Sequence, residues 1–222
     1  MGEAARPWLP DLLKAAADTA EPLKPVVWAD PIQEAQGQLA GLLFNGLLRG
    51  PIEGVDRTLL YPAIRAVSRN ADGWATAQLQ NIVENQLTLE DVQALGPEIL
   101  AAARERAPAD TMFGNELRMA SVNVLAKYRF KEGAPALMRL AKVIDGHGSQ
   151  VRIPLLMGQL RSYGTAAREL LPELRALLAE YKQTPDSVFP KWANDMRIAS
   201  VDKAIASIEA AKDQPELRSL SK

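Results

Sequence analysis

The sequence predicts an all-α protein built from pairs of helices, and three observations support this. Alanine and leucine are abundant while aromatic residues make up only 5% of the 222 residues. This bias favours helices, because Ala and Leu lose little on entering a helix. Four segments repeat one proline-containing helical pattern, and no segment has the alternating polarity of a β-strand.

The four repeated segments each contain a proline followed by apolar residues at helical spacing. The prolines are 35, 38 and 37 residues apart, at Pro62, Pro97, Pro135 and Pro172. Ile or Leu follows two positions later, and Val, Ala or Leu follows five positions later, which places both on one helix face. Because proline has no N–H, it is tolerated in a first turn. We therefore expect each proline to begin a helix, as does Pro10 near the N-terminus.

The stretches between these prolines have the pattern of partner helices. We expect helices at about 32–48, 74–86, 116–129 and 150–162, and a last helix at about 192–211. In the last two, the residues expected to face inward are Val151, Leu155, Leu156 and Leu160, and Trp192, Met196, Ala199 and Ile205. Tyr163 is expected to pack at the end of a repeat.

A capping-box-like signal, Thr88-Leu89-Glu90-Asp91, precedes a predicted helix at 89–105. Pro97 falls inside that span, so it must either kink the helix or begin a second one. The acidic residues Glu90 and Asp91 suit a helix N-terminus, where negative charge is favoured.

The predicted domain organisation has three parts. Residues 1–54 contain irregularly placed prolines and form a helical lead-in. Residues 55–211 hold the repeats and a C-terminal capping helix. Residues 212–222 form a polar tail, which we expect to be frayed.

The segment from Leu125 to Leu137, with its counterpart from Leu160 to Leu174, resembles the HEAT/armadillo superfamily of helical repeats. The resemblance covers about residues 55–182. It implies a right-handed α–α superhelix, a HEAT-like solenoid of about four to five helix pairs, with a concave surface lined by the proline-initiated helices. The tract from Tyr61 to Gly133 is also similar to helical C-terminal regions of large uncharacterised bacterial proteins.

Composition and charge exclude several classes of function. The net charge of −1 disfavours a generic nucleic-acid binder. The charge is uneven, because residues 1–110 carry 9 basic and 15 acidic residues and residues 111–222 carry 17 and 12. There is no cysteine and a single histidine, so thiol chemistry and histidine-rich metal sites are excluded. No apolar run is long enough to span a bilayer.

No catalytic constellation or cofactor motif can be named. His147 lies in a glycine-flanked turn and is interpreted as an exposed loop histidine. No phosphate-binding or dinucleotide fingerprint is present. No secretion signal begins the chain. We expect a cytoplasmic location by default, or export if a signal lies on a longer chain.

A basic pattern on the proline-initiated helices supplies the candidate partner-binding residues. Cations recur three or four and seven positions after the prolines, at Arg65, Arg69, Arg104, Arg139, Lys142 and Arg175. They are interpreted either as a ladder for an acidic peptide or as ordinary helix C-terminal cations. Trp74 is a further candidate, because Trp is enriched at interface hot spots, although it also suits packing between repeats.

The function predicted from these residues is a non-catalytic protein-interaction or scaffolding module. Its partner is expected to be a protein or an acidic peptide rather than a membrane or nucleic acid. One alternative is a HEAT-like DNA glycosylase, because that architecture can hold damaged duplex DNA; the overall charge of −1 counts against it and the positive second half favours it. A second alternative is a structural helical domain of a larger enzyme.

Overall fold

The all-α prediction is confirmed by a computed structural model. Regular structure in the described residues is helical, and the single β-bridge joins Phe130 and Arg218 without forming a strand. The residues that the structure describes are 5–18, 31–70, 73–105, 113–144 and 148–220.

The chain forms two compact units, Met1–Val124 and Leu125–Lys222, with the division falling inside one helix. The helices of the described residues up to that division are a 3₁₀ turn Arg6–Trp8, α1 Leu9–Asp18, α2 Pro31–Ala40, π1 Gly41–Leu47, α3 Arg57–Ser68, α4 Gly73–Ala77, π2 Ile82–Gln86, α5 Leu89–Ala94, α6 Gly96–Arg104 and α7 Glu116–Lys127. Those that follow are α8 Gly133–Val143, α9 Ser149–Arg161, a 3₁₀ helix Gly164–Leu170, α10 Leu171–Gln183 and α11 Lys191–Ala210. The division at 54 and 211 expected from the sequence stays a prediction.

Four of the five prolines lie in first turns, as predicted. Pro10, Pro97 and Pro172 are the second residues of α1, α6 and α10, and Pro135 is the third residue of α8. Each removes an N–H that would have no helical partner at that position. Local backbone chemistry therefore sets these four starts.

Pro62 does not begin a helix, and this prediction is wrong. It lies in the interior of α3, whose N-cap is Asp56. The Asp56 carboxylate accepts a hydrogen bond from the Thr58 N–H at 2.8 Å. This side-chain cap supplies a stronger start signal than a proline, so the helix begins before Pro62.

Thr88 forms the capping box that the sequence indicates. Its hydroxyl accepts from the Asp91 N–H, and the Asp91 carboxylate accepts from the Thr88 N–H. The short helix α5 ends at Ala94, and α6 begins at Gly96. Of the two outcomes allowed for Pro97, a second helix is therefore the correct one.

The two units share one order of helices around Pro97 and Pro172. A helix ends at Gln86 or at Arg161, a short helix begins at Leu89 or Gly164, and a proline-initiated helix begins at Gly96 or Leu171. All three boundaries are separated by the same number of residues. The order and spacing of these boundaries are thus shared, although the first two helices are π and α in one unit and α and 3₁₀ in the other.

The inward face of two helices differs from the prediction. In α9, Leu156 and Leu160 are buried as expected, but Val151 and Leu155 are 56% and 55% exposed. The buried stripe is instead completed by Ile153 and Met157. The spacing of apolar residues does not determine how α9 is rotated about its axis. Packing against α11 determines which face of α9 is buried.

In α11 the prediction is wrong for Trp192, Met196 and Ala199, which are exposed, and correct for Ile205. The inward stripe is shifted by one position and includes the buried residues Ala193, Arg197, Val201, Ala204 and Ile208. Arg197 contributes to this rotation, because its guanidinium lies 3.8 Å from the Phe189 ring centroid and 4.2 Å from that of Tyr181.

The C-terminal tail is not frayed, so that expectation is wrong for the described residues 211–220, here called the C-terminal strap. The Arg218 N–H donates to the Arg129 carbonyl at 2.9 Å, and the Lys131 N–H donates to the Arg218 carbonyl at 2.8 Å. The Thr165 N–H donates to the Asp213 carbonyl at 3.1 Å. Main-chain hydrogen bonds therefore hold a polar segment that has no helical pattern of its own.

Candidate functional site

Two of the predicted partner-binding cations meet at one carboxylate. Arg69 Nη2 lies 2.9 Å from Glu98 Oε1, and Arg65 Nε lies 3.6 Å from Glu98 Oε2. Arg65 also donates to the Ala94 carbonyl at 2.9 Å. The Glu98 side chain is only 8% exposed. These contacts join α3 to the first turn of α6.

The second unit repeats this arrangement. Lys142 at the end of α8 pairs with Glu173 in the first turn of α10, and Arg175 pairs with Glu209 of α11. Glu98 and Glu173 each directly follow a repeat proline, where the helix N-terminus favours a carboxylate. Three of the predicted ladder cations, Arg65, Arg69 and Lys142, thus bind first-turn carboxylates of a later helix, whereas Arg175 binds a carboxylate near the end of α11. The pattern within a single helix did not indicate these pairs.

The remaining candidates do not join these pairs. The Arg104 and Arg139 side chains are exposed, and their guanidinium groups have no ion-pair partner among the described residues. Trp74 is 48% exposed and meets the Phe113 ring edge-on, with 5.1 Å between ring centroids. The binding role of these residues stays a prediction.

A polar network around Asp91 links α3 to α5. Arg57 donates from Nε and Nη2 to the two Asp91 oxygens at 2.8 and 3.3 Å, and the Tyr61 hydroxyl donates to Oδ1 at 2.7 Å. Burial alone would raise the pKa of Asp91, but these hydrogen bonds and that of the Thr88 N–H outweigh it, so the pKa is lowered. Asp91 therefore stays ionised and fixes the Arg57 guanidinium.

A cavity of about 390 Å³ opens beside this network. It is lined by the loop 49–53 and Arg57 and by Asn81, Asn85, Gln86 and Thr88. The volume lies in the range of small-ligand sites. Two guanidinium groups, the Glu53 carboxylate and three amides give the cavity mainly hydrogen-bond donors and acceptors.

Both π-helical segments end at this cavity. The segment π1 leads through Leu48 into Arg49, and π2 ends at Gln86 itself. π-Helices are rare in proteins and are frequent at functional sites. A π-helical turn is wider than an α-helical turn and changes the direction of the residues that follow it. Both segments therefore bring unusual backbone geometry to the residues that line the cavity.

Gln86 has a fixed orientation in this wall. Its Nε2 donates to the Leu48 and Arg49 carbonyls, both at 3.0 Å. These two acceptors fix the side-chain amide. Its Oε1 has almost no accessible surface and accepts no hydrogen bond within the described residues, so the unpaired acceptor lies inside the protein and is not open to the cavity.

Arg49 and Arg57 differ in availability. Arg57 is committed to Asp91 and donates from Nη1 to the Ile52 and Val55 carbonyls at 2.8 and 3.0 Å. Arg49 is exposed at the cavity, and its guanidinium contacts no acceptor in the described part of the chain. Among the described residues, Arg49 is therefore an unpaired cation at the cavity, next to an Arg57 side chain that its hydrogen bonds hold in place.

Sequence reasoning missed this cavity. Asn81 and Asn85 are four residues apart, a spacing that places two amides on one helix face, and this is the signal that could have drawn attention to it. Arg49, in contrast, lies in a loop that carries no recognisable motif. Only long-range packing brings the loop against π2.

Metal and membrane sites do not emerge from the described residues. No group of three or more carboxylate or imidazole side chains there is placed to hold a metal ion. None of the helices there has both the length and the apolar character needed to cross a bilayer. His147, interpreted as an exposed loop histidine, lies outside the described residues.

Comparison of the chain with protein-family models, curated proteins and solved structures gives no match.

Proposed function

We propose that this chain is a non-catalytic module of the HEAT/armadillo kind, with stacked helix pairs that bind a segment of a partner protein. The shared helix order around Pro97 and Pro172 supports a repeated architecture. The carboxylates Glu98 and Glu173, which receive cations from earlier helices, support stacking of successive proline-initiated helices. In a solenoid, successive repeats stack on one another, and these ion pairs are the contacts that favour such stacking here.

The C-terminal strap is the observation that carries this proposal. It forms an isolated β-bridge with Phe130 in the turn 128–132, where its Arg218 exchanges main-chain hydrogen bonds with Arg129 and Lys131. The Glu132 carboxylate accepts from the Ser219 hydroxyl at 3.2 Å and from the Leu220 N–H at 3.3 Å. The turns between helices therefore supply groups that hold an extended peptide.

The alternatives receive less support from the same contacts. A DNA glycosylase needs a surface of cations free to contact phosphates, whereas Arg65, Arg69, Lys142 and Arg175 already pair with carboxylates. A purely structural domain needs no open polar cavity, and the walls at Arg49 and Gln86 form one.

The proposal is tested by panning a library of random short peptides against the immobilised full chain. We expect a family of related sequences to be enriched, and the synthetic peptides to bind saturably in isothermal titration calorimetry. Duplex DNA in fluorescence anisotropy is the counter-test. Absence of any binding peptide, together with DNA binding that weakens as salt rises, would contradict the proposal.

A further inference from the structure

We infer that the C-terminal strap is a displaceable cover over a peptide-binding site, and that a partner segment with an arginine followed by serine or threonine takes its place there. The site consists of the turn 128–132 and the start of the 3₁₀ helix at Gly164 and Thr165. These residues and the strap all lie in the second unit. The inference rests on the proposed function and names its binding site, the chemistry of its partner and its regulation.

The strap is held by hydrogen bonds more than by burial. None of the residues 211–220 is buried, since five are exposed and five are half-buried. Its contacts to the site include main-chain hydrogen bonds at Asp213 and Arg218 and those that the Glu132 carboxylate accepts. A hydrogen bond within the protein replaces one to water, so its net contribution to stability is small. Because segments with few buried apolar contacts open locally, we expect the strap to open while the helices stay folded.

The helix that precedes the strap has contacts of its own. Inward residues of α11, including Val201 and Ile208, are buried. The carbonyl of Ala211, where α11 ends, accepts a hydrogen bond from Arg168 Nη2 at 2.6 Å. These contacts do not involve residues 212–220. Opening of the strap should therefore stop at Ala211 and leave α11 in place.

The turn beneath the strap keeps its shape without it. The Arg129 N–H donates to the Ala126 carbonyl at 3.0 Å. The Phe130 N–H donates to the Leu125 carbonyl at 2.9 Å, and the two bonds together close the C-terminal end of α7. Arg129 has a φ of 55°, a left-handed conformation that is uncommon for residues other than glycine. Since neither bond involves the strap, the Arg129 carbonyl is already in position when the strap opens.

Opening uncovers main-chain groups with which another segment can pair. The Arg129 carbonyl, the Lys131 N–H and the Thr165 N–H lose their partners when the strap leaves. Unpaired main-chain groups at an edge bind a further segment through its backbone. Gly164 allows that segment to come close, because a Cβ there would lie 2.6 Å from the Asp213 carbonyl oxygen. Main-chain hydrogen bonds therefore provide most of the affinity of the open site.

Two acceptors select the side chains of the bound segment. Arg218 Nη1 donates to the Tyr128 carbonyl at 2.9 Å, at the end of α7, where partial negative charge favours a cation. Glu132 accepts from the Ser219 hydroxyl at 3.2 Å. An arginine followed by a residue with a hydroxyl group therefore fits the site. A longer basic run is repelled, because the turn already carries exposed cations. These are Lys127, Arg129 and Lys131.

Hydrogen exchange on the unaltered chain tests whether the strap opens by itself. The amides of Arg218 and Leu220 should have protection factors at least about tenfold lower than those of Val201 and Ile208 in α11. Equal protection of the strap and of α11 would mean that the strap opens only when the protein unfolds. That result would overturn the inference.

The strap itself can be altered without changing the site. Arg218→Pro removes the N–H donor and the guanidinium, and Ser219→Glu places a carboxylate beside Glu132. The chain with both changes, here called the opened variant, alters no buried residue and should keep its melting temperature. The probe is a synthetic peptide with the sequence of residues 211–220. It should bind the opened variant saturably in fluorescence anisotropy.

The unaltered chain should bind this peptide at least about tenfold more weakly, because its tethered strap competes at a high effective concentration. A second peptide, with alanine in place of the arginine, should bind the opened variant about tenfold more weakly than the first. Equal affinity of the two peptides would contradict the proposed side-chain selection.

Gly164→Ala in the opened variant tests where the peptide binds. The added methyl group would occupy the space of the incoming carbonyl, so affinity should fall at least about tenfold. Gly158→Ala is the matched control, because a Cβ at that position meets no atom within 4 Å. It should leave the affinity unchanged.

The outcomes separate the inference from the proposed function. If the opened variant does not bind the strap peptide, the inference fails. It also fails if the unaltered chain forms a dimer that the opened variant does not form, since the strap is then exchanged between two copies. Library peptides that bind equally well with and without Gly164→Ala would overturn the inference and leave the proposed function standing. If no library peptide binds either the unaltered chain or the opened variant, both fail.

Discussion

Gly133 leaves the space that the hydroxyl of Tyr163 occupies beneath the turn at Phe130. The hydroxyl donates to the Phe130 carbonyl at 2.9 Å, and a Cβ at residue 133 would overlap it. Tyr163 is fully buried, as its predicted place at a repeat end requires. The pair thus joins the end of α9 to the start of α8.

We expect Gly133→Ala to destabilise the protein by about 1–3 kcal/mol, because the methyl group would overlap the buried Tyr163 hydroxyl and crowd Leu125. Urea unfolding at neutral pH measures the change. Gly158→Ala is the matched control, since a Cβ at that helical position meets no atom within 4 Å. It should stabilise the protein by up to about 1 kcal/mol. Equal effects of the two substitutions would contradict the steric account.

Two buried tyrosines should respond oppositely to loss of the hydroxyl. Tyr163→Phe removes a hydrogen bond and should cost about 1 kcal/mol. The Tyr181 hydroxyl is buried without a hydrogen-bond partner among the described residues, and burial raises the pKa of this group to about 12. Tyr181→Phe should therefore be neutral or slightly stabilising. Chemical denaturation of both variants measures the change in the free energy of unfolding. A larger loss for Tyr181→Phe than for Tyr163→Phe would contradict the view that the Tyr181 hydroxyl makes no hydrogen bond.

Asp91 should make the free energy of unfolding depend on pH in the acid range. Its pKa is lowered in the folded protein, so its contribution is fully present above the unfolded value of about 3.9 and is lost as pH falls through the lower folded value. Asp91→Asn should cost about 2 kcal/mol near neutral pH, because the charged hydrogen bonds from Arg57 are weakened.

The difference in unfolding free energy between the Asp91→Asn variant and the unaltered chain should shrink as pH falls below about 4. Urea titrations at several pH values follow this difference. A constant difference across the acid range would rule out the Asp91 charge as its source.

The cations at Glu98 should contribute to stability whatever their role in binding. Replacing Arg65 and Arg69 by Glu would place three carboxylates together, so we expect the double variant to lose about 1–2 kcal/mol, more than an exposed pair alone provides. Adding Glu98→Arg should restore part of the loss. Arg139→Glu, an isolated cation, should have little effect. Thermal melts compare the four proteins, and no rescue by Glu98→Arg would refute the ion-pair explanation.

Local signals in the sequence determined where most helices begin. Pro97, Pro135 and Pro172 lie in first turns because a missing N–H costs nothing there. Thr88 and Asp91 form their capping box within four residues of chain. Pro62 was mispredicted because Asp56, a better cap, lies just upstream. These are short-range effects, and the residues that cause them can be read directly.

Only the tertiary structure decided which faces pack and which polar groups meet. Trp192 fits an inward helical stripe as well as Arg197 does, yet the stacking of Arg197 on Tyr181 and Phe189 turns Trp192 to the outside. The cavity brings together Arg49 and Gln86, which lie 37 residues apart in the chain. Contacts between residues far apart in sequence depend on the packing of whole helices, and no periodicity within one helix specifies them.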